Sequence, residues 1–330
     1  MQDEKITGQL VAKAKDLLAQ GKVQRVVGWR KGLFDYDITP GTFITADDLD
    51  KNFVYNEWCG ANLSKYLVRL TREIEIKKST TRMNNTMAKQ RDPNAQDKPI
   101  PQERLLVFLK PCDTYSFTEL LKENRINRDD VYVVGIPCDG MKDPDKGTIA
   151  ERCNNCKSKK HVTYDELIGE EGDLLDSHRF DMVAKLESMT PDQRFAFWQT
   201  ELSRCIRCNA CRDVCPACTC EQCVFNNNNL YTSQKVAVTS FEESLYHIIR
   251  AWHVAGRCTD CGECSRVCPQ HIPLHLINRK FAKDINELYG DYIAGSDMET
   301  KPPMLRFDAD KDAEPSVVYA RDPADNGGDE

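Results

Sequence analysis

The chain has 330 residues, with 40% hydrophobic and 29% charged side chains and a net charge of -7. That acidic balance argues against a broad nucleic-acid surface, and no apolar run approaches the roughly 20 residues that a membrane-spanning helix requires. Met1-Gln2-Asp3-Glu4-Lys5 is acidic and leads into no apolar signal-peptide segment, so the expectation is a cytoplasmic protein of about two or three domains, tied to a membrane complex only through a partner.

In chain order, Leu10, Val11, Ala14, Leu17 and Leu18 share one helical face over residues 7–20, and Gly21 caps it. Residues 23–29 read as a strand, and Leu63, Leu67 and Leu70 align a second helix over residues 61–73. Residues 77–101 are rich in Asn, Thr, Gln and Pro and carry Lys77, Lys78, Arg82, Lys89, Arg91 and Lys98. They read as a solvated loop, or as a docking loop for an acidic partner. Residues 105–109 and 131–135 are short apolar runs on either side of a helix over 116–124, a βαβ unit with neighbouring parallel strands. Ligands of such sheets gather beyond the strands' carboxyl ends.

Two thiols arrive at that edge. Cys112 follows the first strand within Lys110-Pro-Cys-Asp113, Cys138 follows the second within Gly135-Ile-Pro-Cys-Asp139, and Cys153-Asn-Asn-Cys156 lies a short loop downstream. Together Cys112, Cys138, Cys153 and Cys156 make a candidate 4Fe-4S site. The alternative is two ordinary buried cysteines and a C-x2-C pair holding zinc or nothing.

Residues 157–189 read as a mixed linker with a turn at 170–173. Thr190-Pro-Asp-Gln193 is an N-cap, a proline at the first position and a capping-box glutamine, opening a helix lined by Phe195, Trp198 and Leu202. That helix leads into Cys205-Ile-Arg-Cys208-Asn-Ala-Cys211-Arg-Asp-Val-Cys215-Pro216. A second capping box at Ser240–Glu243 opens a helix whose stripe of Leu245, Ile248, Ile249 and Trp252 should face inward, before Cys258-Thr-Asp-Cys261-Gly-Glu-Cys264-Ser-Arg-Val-Cys268-Pro269. A further helix after Pro273 carries Leu276, Ile277, Phe281, Ile285 and Leu288.

Both cysteine runs have the C-x2-C-x2-C-x3-C-P spacing in which three thiolates wrap one cubane and the fourth crosses to the other. This assigns Cys205, Cys208, Cys211 and Cys268 to one 4Fe-4S cluster, and Cys258, Cys261, Cys264 and Cys215 to a second. Structural zinc would instead take paired C-x2-C knuckles. Such ligands must be free thiolates, which calls for a reducing compartment rather than disulfides. The remaining thiols, Cys59, Cys218, Cys220 and Cys223, are a local trio and one distant partner, candidates for a fourth cluster or a zinc ion. Arg204, Arg207, Arg212, Arg257 and Arg266 flank the cluster loops, where cations raise a cluster's potential, or are in part simply solvated or paired with acidic neighbours, and the six histidines lack metal-ligand spacing. No catalytic Ser/His/Asp set, carboxylate pair or phosphate loop is evident in the sequence.

Val26-Val-Gly-Trp-Arg-Lys-Gly32, Lys110-Pro-Cys-Asp-Thr-Tyr-Ser116, Leu120-Leu-Lys-Glu-Asn124, Val134-Gly-Ile-Pro-Cys-Asp-Gly140 and Glu151-Arg-Cys-Asn-Asn-Cys156 resemble the N-terminal part of the beta subunits of deazaflavin (coenzyme F420) hydrogenases and formate dehydrogenases. Residues 200–280 resemble the dicluster ferredoxin modules of such complexes. The resemblance implies an iron–sulfur electron-transfer subunit working with a catalytic formate dehydrogenase or hydrogenase, or with a flavin subunit of the heterodisulfide-reductase type. In that family a further α/β region helps to hold flavin and deazaflavin, whereas here the ferredoxin module follows within 50 residues of Cys156, so flavin is not expected. The competing readings are a flavin-dependent beta subunit that reduces deazaflavin, and an assembly scaffold with structural metal sites. The expected architecture is an α/β iron–sulfur domain with a parallel sheet over 1–160, a linker over 161–189, a mainly helical two-cluster ferredoxin domain over 190–296, and a disordered or partner-draped tail over 297–330.

Overall fold

The computed structural model describes residues 2–175, 178–226 and 240–305, with the backbone alone at 2–3 and 240–243. Helix α1 (Gln2–Ala19) leads into β1 (Arg25–Lys31), and β2 (Ile38–Phe43) returns antiparallel beside it, pairing Gly28 with Gly41. After α2 (Ala46–Asn52) and α3 (Ser64–Arg91), the unit β3 (Leu105–Leu109), α4 (Pro111–Lys122), β4 (Val131–Gly135) follows. The strand order is β2-β1-β3-β4 with a last strand β5 (Glu166–Leu167), and β1, β3, β4 and β5 run parallel. All five residues of β3 are buried, because helices cover both faces of a central parallel strand. Phe53 packs edge-on to both Phe43 and Phe108, centroids 5.6 and 5.5 Å away, at the centre of this core.

Three expectations are corrected here. Residues 77–91 are not loop but the outer half of the 28-residue α3. No Gly or Pro interrupts residues 64–91, and the helix stops at Asp92, the residue that Pro93 disfavours for helix. Beyond Ile76 it has little apolar face to read, and polar partners fasten it to the returning chain: Lys89 to Asp97 at 2.7 Å, and Asn85 to Lys98. The segment expected to be a linker supplies β5 and α6 (Asp181–Glu187), which packs on the C-terminal helix of the helical half. Part of the expected tail is docked as well. Lys122 Nζ donates to the Thr300 carbonyl at 2.6 Å, and Gly295, at φ +74°, lies so close to the Tyr115 carbonyl that a Cβ would collide with it. Residues 306–330 lie outside the described residues.

The helical half runs α7 (Pro191–Ser203), α8 (Ala210–Asp213), α9 (Ser240–His253), α10 (Glu263–Arg266) and α11 (Leu274–Tyr289). Thr190 and Gln193 form the expected capping box, with Pro191 in the first turn. The capping box read at Ser240–Glu243 lies outside the described side chains. Helices α7 and α11 both pack on α9. Most of the apolar stripe of α9 faces outward: Leu245 is 45%, Ile248 50% and Trp252 59% exposed and Ile249 is half-buried, while Tyr246, His247, Arg250 and Ala251 point inward. This reverses the orientation expected from the sequence, and the cysteine-lined interior described below is the reason.

Candidate metal centre

Helix α4 starts one residue after β3 with Pro111 in its first turn, which places Cys112 at the carboxyl edge of the sheet. Cys138 follows β4, Cys153 lies in the single-turn α5 (Glu151–Asn154), and Cys156 comes just after it. All four thiols line one cavity with Lys110, Arg152 and Lys159, and its wall is completed by Asp260 and Cys261 of the second cluster loop. Burial pushes the Cys112 thiol up, Asp113 and Cys138 adding to the effect and Lys110 opposing it. Backbone N–H groups aim at the sulfurs, that of Met141 at Cys153 Sγ over 3.4 Å and that of Gly140 at Cys138. Lys110 is buried over the Trp29 ring and pairs with Asp113 at 2.8 Å.

The two ferredoxin-like loops share one backbone shape. Arg207 and Asp260 have φ of 53°, and Asn209 and Gly262 have φ of 63° and 68°, each pair standing at matching places in the two runs. These turns lead into α8 and α10, which pack together. Burial raises Cys211 to about 11, and Cys205, Cys268 and Cys208 add their charge. Cys258 and Cys264 are pushed to about 12, burial first, with Cys215 acting on each. Cys261 rises by burial, with Glu263 and Cys215 contributing. The fourth cysteine of each run therefore lies in the field of the other run's trio.

Buried thiols gathered in this way ionise together more readily around a cationic occupant, and iron is such an occupant. Among the described residues no three His, Cys, Asp or Glu side chains converge as a single ion needs. A cubane takes one thiolate per iron and leaves its ligands well separated, so the donor sets fit clusters better than zinc.

Of the arginines read beside the loops, Arg204 pairs with Glu201, Arg212 with Asp213, Arg257 with Glu123 and Arg266 with Glu263, and Arg207 lies 4.3 Å over the Tyr246 ring. Arg212 and Arg257 also line the cavity of Cys218, Cys220 and Cys223, and sequence reasoning missed two further groups beside the thiols. His247 Nε2 stands 3.3 Å from Cys205 Sγ, and burial with Arg250 and Arg207 nearby pushes the ring to about 3, so it is neutral and can donate N–H to sulfur. The signal was present in a helix that carries histidine and arginine three residues apart opposite its apolar stripe. Arg152, equally unremarked, joins the halves: it donates to the Gly60 carbonyl at 2.8 Å and the Cys261 carbonyl at 3.0 Å and pairs with the fully buried Glu263.

Cys218, Cys220 and Cys223 line one cavity with Lys65, Arg212, Arg250, His253 and Arg257. Cys59 does not line it. That side chain is buried in the core of the α/β half, accepting the Asn56 N–H at 3.3 Å and directed at the Val54 carbonyl. Cys59→Ala is accordingly expected to leave iron and zinc per chain unchanged in anaerobically purified protein. Loss of about four iron or one zinc would place Cys59 among the ligands.

The 4Fe-4S dicluster domain family matches residues 201–272. The chain is 22% identical to the beta subunit of F420-dependent formate dehydrogenase of Methanocaldococcus jannaschii, over 64% of this chain and 78% of that protein. It is also 22% identical to the beta subunit of F420-dependent formate dehydrogenase 1 of Methanococcus maripaludis, over 90% of this chain and 92% of that protein. The chain resembles the formate dehydrogenase beta subunits and carries a 4Fe-4S dicluster domain. The beta-subunit resemblance extends well beyond the dicluster domain, since the second alignment takes in nine-tenths of the chain. Among the described residues no helix is long and apolar enough to cross a membrane.

Proposed function

We propose that this chain is the iron–sulfur subunit of a formate dehydrogenase complex and relays single electrons through three 4Fe-4S clusters. The observation that carries the reading is a shared wall: Cys261 faces the same cavity as Cys112, Cys138, Cys153 and Cys156, so the site in the α/β half and those in the helical half stand in series. In this reading Cys205, Cys208, Cys211 and Cys268 hold one cluster, Cys258, Cys261, Cys264 and Cys215 the second, and Cys112, Cys138, Cys153 and Cys156 the third. The clusters supply one-electron chemistry.

The chain's own groups supply four thiolates per site, N–H donors to sulfur, and dry cover. Backbone donors from Asp260, Glu263 and Ser265 reach Cys258, Cys261 and Cys264, and the Asn278 amide lies 3.5 Å from Cys264 Sγ. Such donors stabilise the reduced, more negative state of a cluster. Catalysis then belongs to a partner dehydrogenase subunit.

Anaerobically purified chain is expected to hold roughly 12 iron per chain and to accept electrons one at a time in an EPR-monitored titration. Its acid-precipitation supernatant should contain no stoichiometric flavin. Stoichiometric flavin, or deazaflavin reduction by the chain alone, would replace this reading with that of a flavin-dependent beta subunit.

A further inference from the structure

Arg250 lies on the inward face of α9 and is 1% exposed. Among the described residues none accepts a hydrogen bond from its Nε, Nη1 or Nη2. The carboxylates of the two cluster loops pair with other arginines: Asp213 with Arg212, Glu263 with Arg152 and Arg266, and Asp260 with Arg279 at 2.8 Å. Beside Arg250 on α9, Ala251 belongs to one buried cluster with Cys205, Cys211 and Cys264, and His247 Nε2 stands 3.3 Å from Cys205 Sγ. Cys264, Cys211, Cys215 and Cys218 are the groups whose charge acts on the guanidinium, in that order. Cys211 belongs to one proposed cluster set, and Cys264 and Cys215 to the other.

A guanidinium cannot shed its proton, carries five N–H donors in a rigid fork, and is costly to bury without an anion. Here the anions available to it are the thiolates of the two cluster sites, with Cys218 of the neighbouring trio beside them. We propose that Arg250 is a shared positioning residue, one fixed cation between the two clusters of the helical half that raises the reduction potentials of both. The proposal rests on the cluster reading given above. Each added electron makes a cluster more negative, so a fixed positive charge favours the reduced state of whichever cluster receives it.

The test is an EPR-monitored redox titration of anaerobically purified, iron-loaded protein beside metal analysis. Arg250→Met should keep wild-type iron and make both clusters about tenfold harder to reduce, a fall of about 59 mV in each one-electron couple. Arg250→Lys, which keeps the charge, should recover most of the shift. Arg204→Gln, which removes an arginine already paired with Glu201, should move neither potential. Should Arg250→Met shed iron, Arg250→Gln carries the titration, and loading by the Lys variant alone would express the same demand for charge. A shift in one cluster only, no shift in either, an equal shift in Arg204→Gln, or iron loss from the Met, Gln and Lys variants alike would overturn the proposal. A wild-type protein without iron would instead overturn the cluster reading itself.

Discussion

Cys215→Ser is expected to abolish the cluster built on Cys258, Cys261 and Cys264, and Cys268→Ser the one built on Cys205, Cys208 and Cys211. Each substitution should remove about four of roughly 12 iron atoms per chain. The expectation follows from placement: Cys215 acts on Cys258, Cys261 and Cys264, and Cys268 acts on Cys211. The spectrum of reduced Cys215→Ser should therefore match that of Cys261→Ser, and the spectrum of Cys268→Ser that of Cys208→Ser. If Cys215→Ser instead reproduced Cys208→Ser, each run would close its own cluster and the crossing would be wrong.

Arg152→Met is expected to cost about 3 kcal/mol of stability, the lower end of the range for breaking a buried ion pair, because Arg266 still reaches Glu263 at 2.7 Å. Glu263 is held at about 2 against its own burial by Arg266 and Arg152 together, so both cations matter to it. The substitution also removes the hydrogen bonds to Gly60 and Cys261 that tie the sheet half to the second cluster loop. An anaerobic thermal melt should fall by roughly 6–12 °C, taking about 2–4 °C per kcal/mol for a chain of this size. An unchanged midpoint would mean that the halves are held together elsewhere.

The parts of the fold that obey local rules were legible. β3 and β4 coincide with continuous apolar runs, as buried parallel strands must, and α7 begins where its cap, proline and glutamine say. β2 was not read because Pro40 and Gly41 interrupt it, a pattern tolerated at a sheet edge, where it sits. The outer half of α3 was missed because a helix that is polar all round has no periodicity to detect. In the site, local spacing indicated which thiols stand together, but whether Cys59 meets the distant trio depends on tertiary packing that spacing does not encode. The face of α9 was misread for a different reason. Amphipathicity assigns apolar residues to the interior on the premise that the interior is apolar, and beside these cysteines it is not.

The reversed orientation of α9 bears on metal loading. Without an occupant among the thiols, the buried Arg250 has no cluster anion to sit against, while Leu245, Ile248 and Trp252 keep much of their apolar surface exposed. On the proposed cluster reading, whatever binds the thiols also favours the face of α9 that carries Arg250, so metal occupancy and the orientation of this helix are linked.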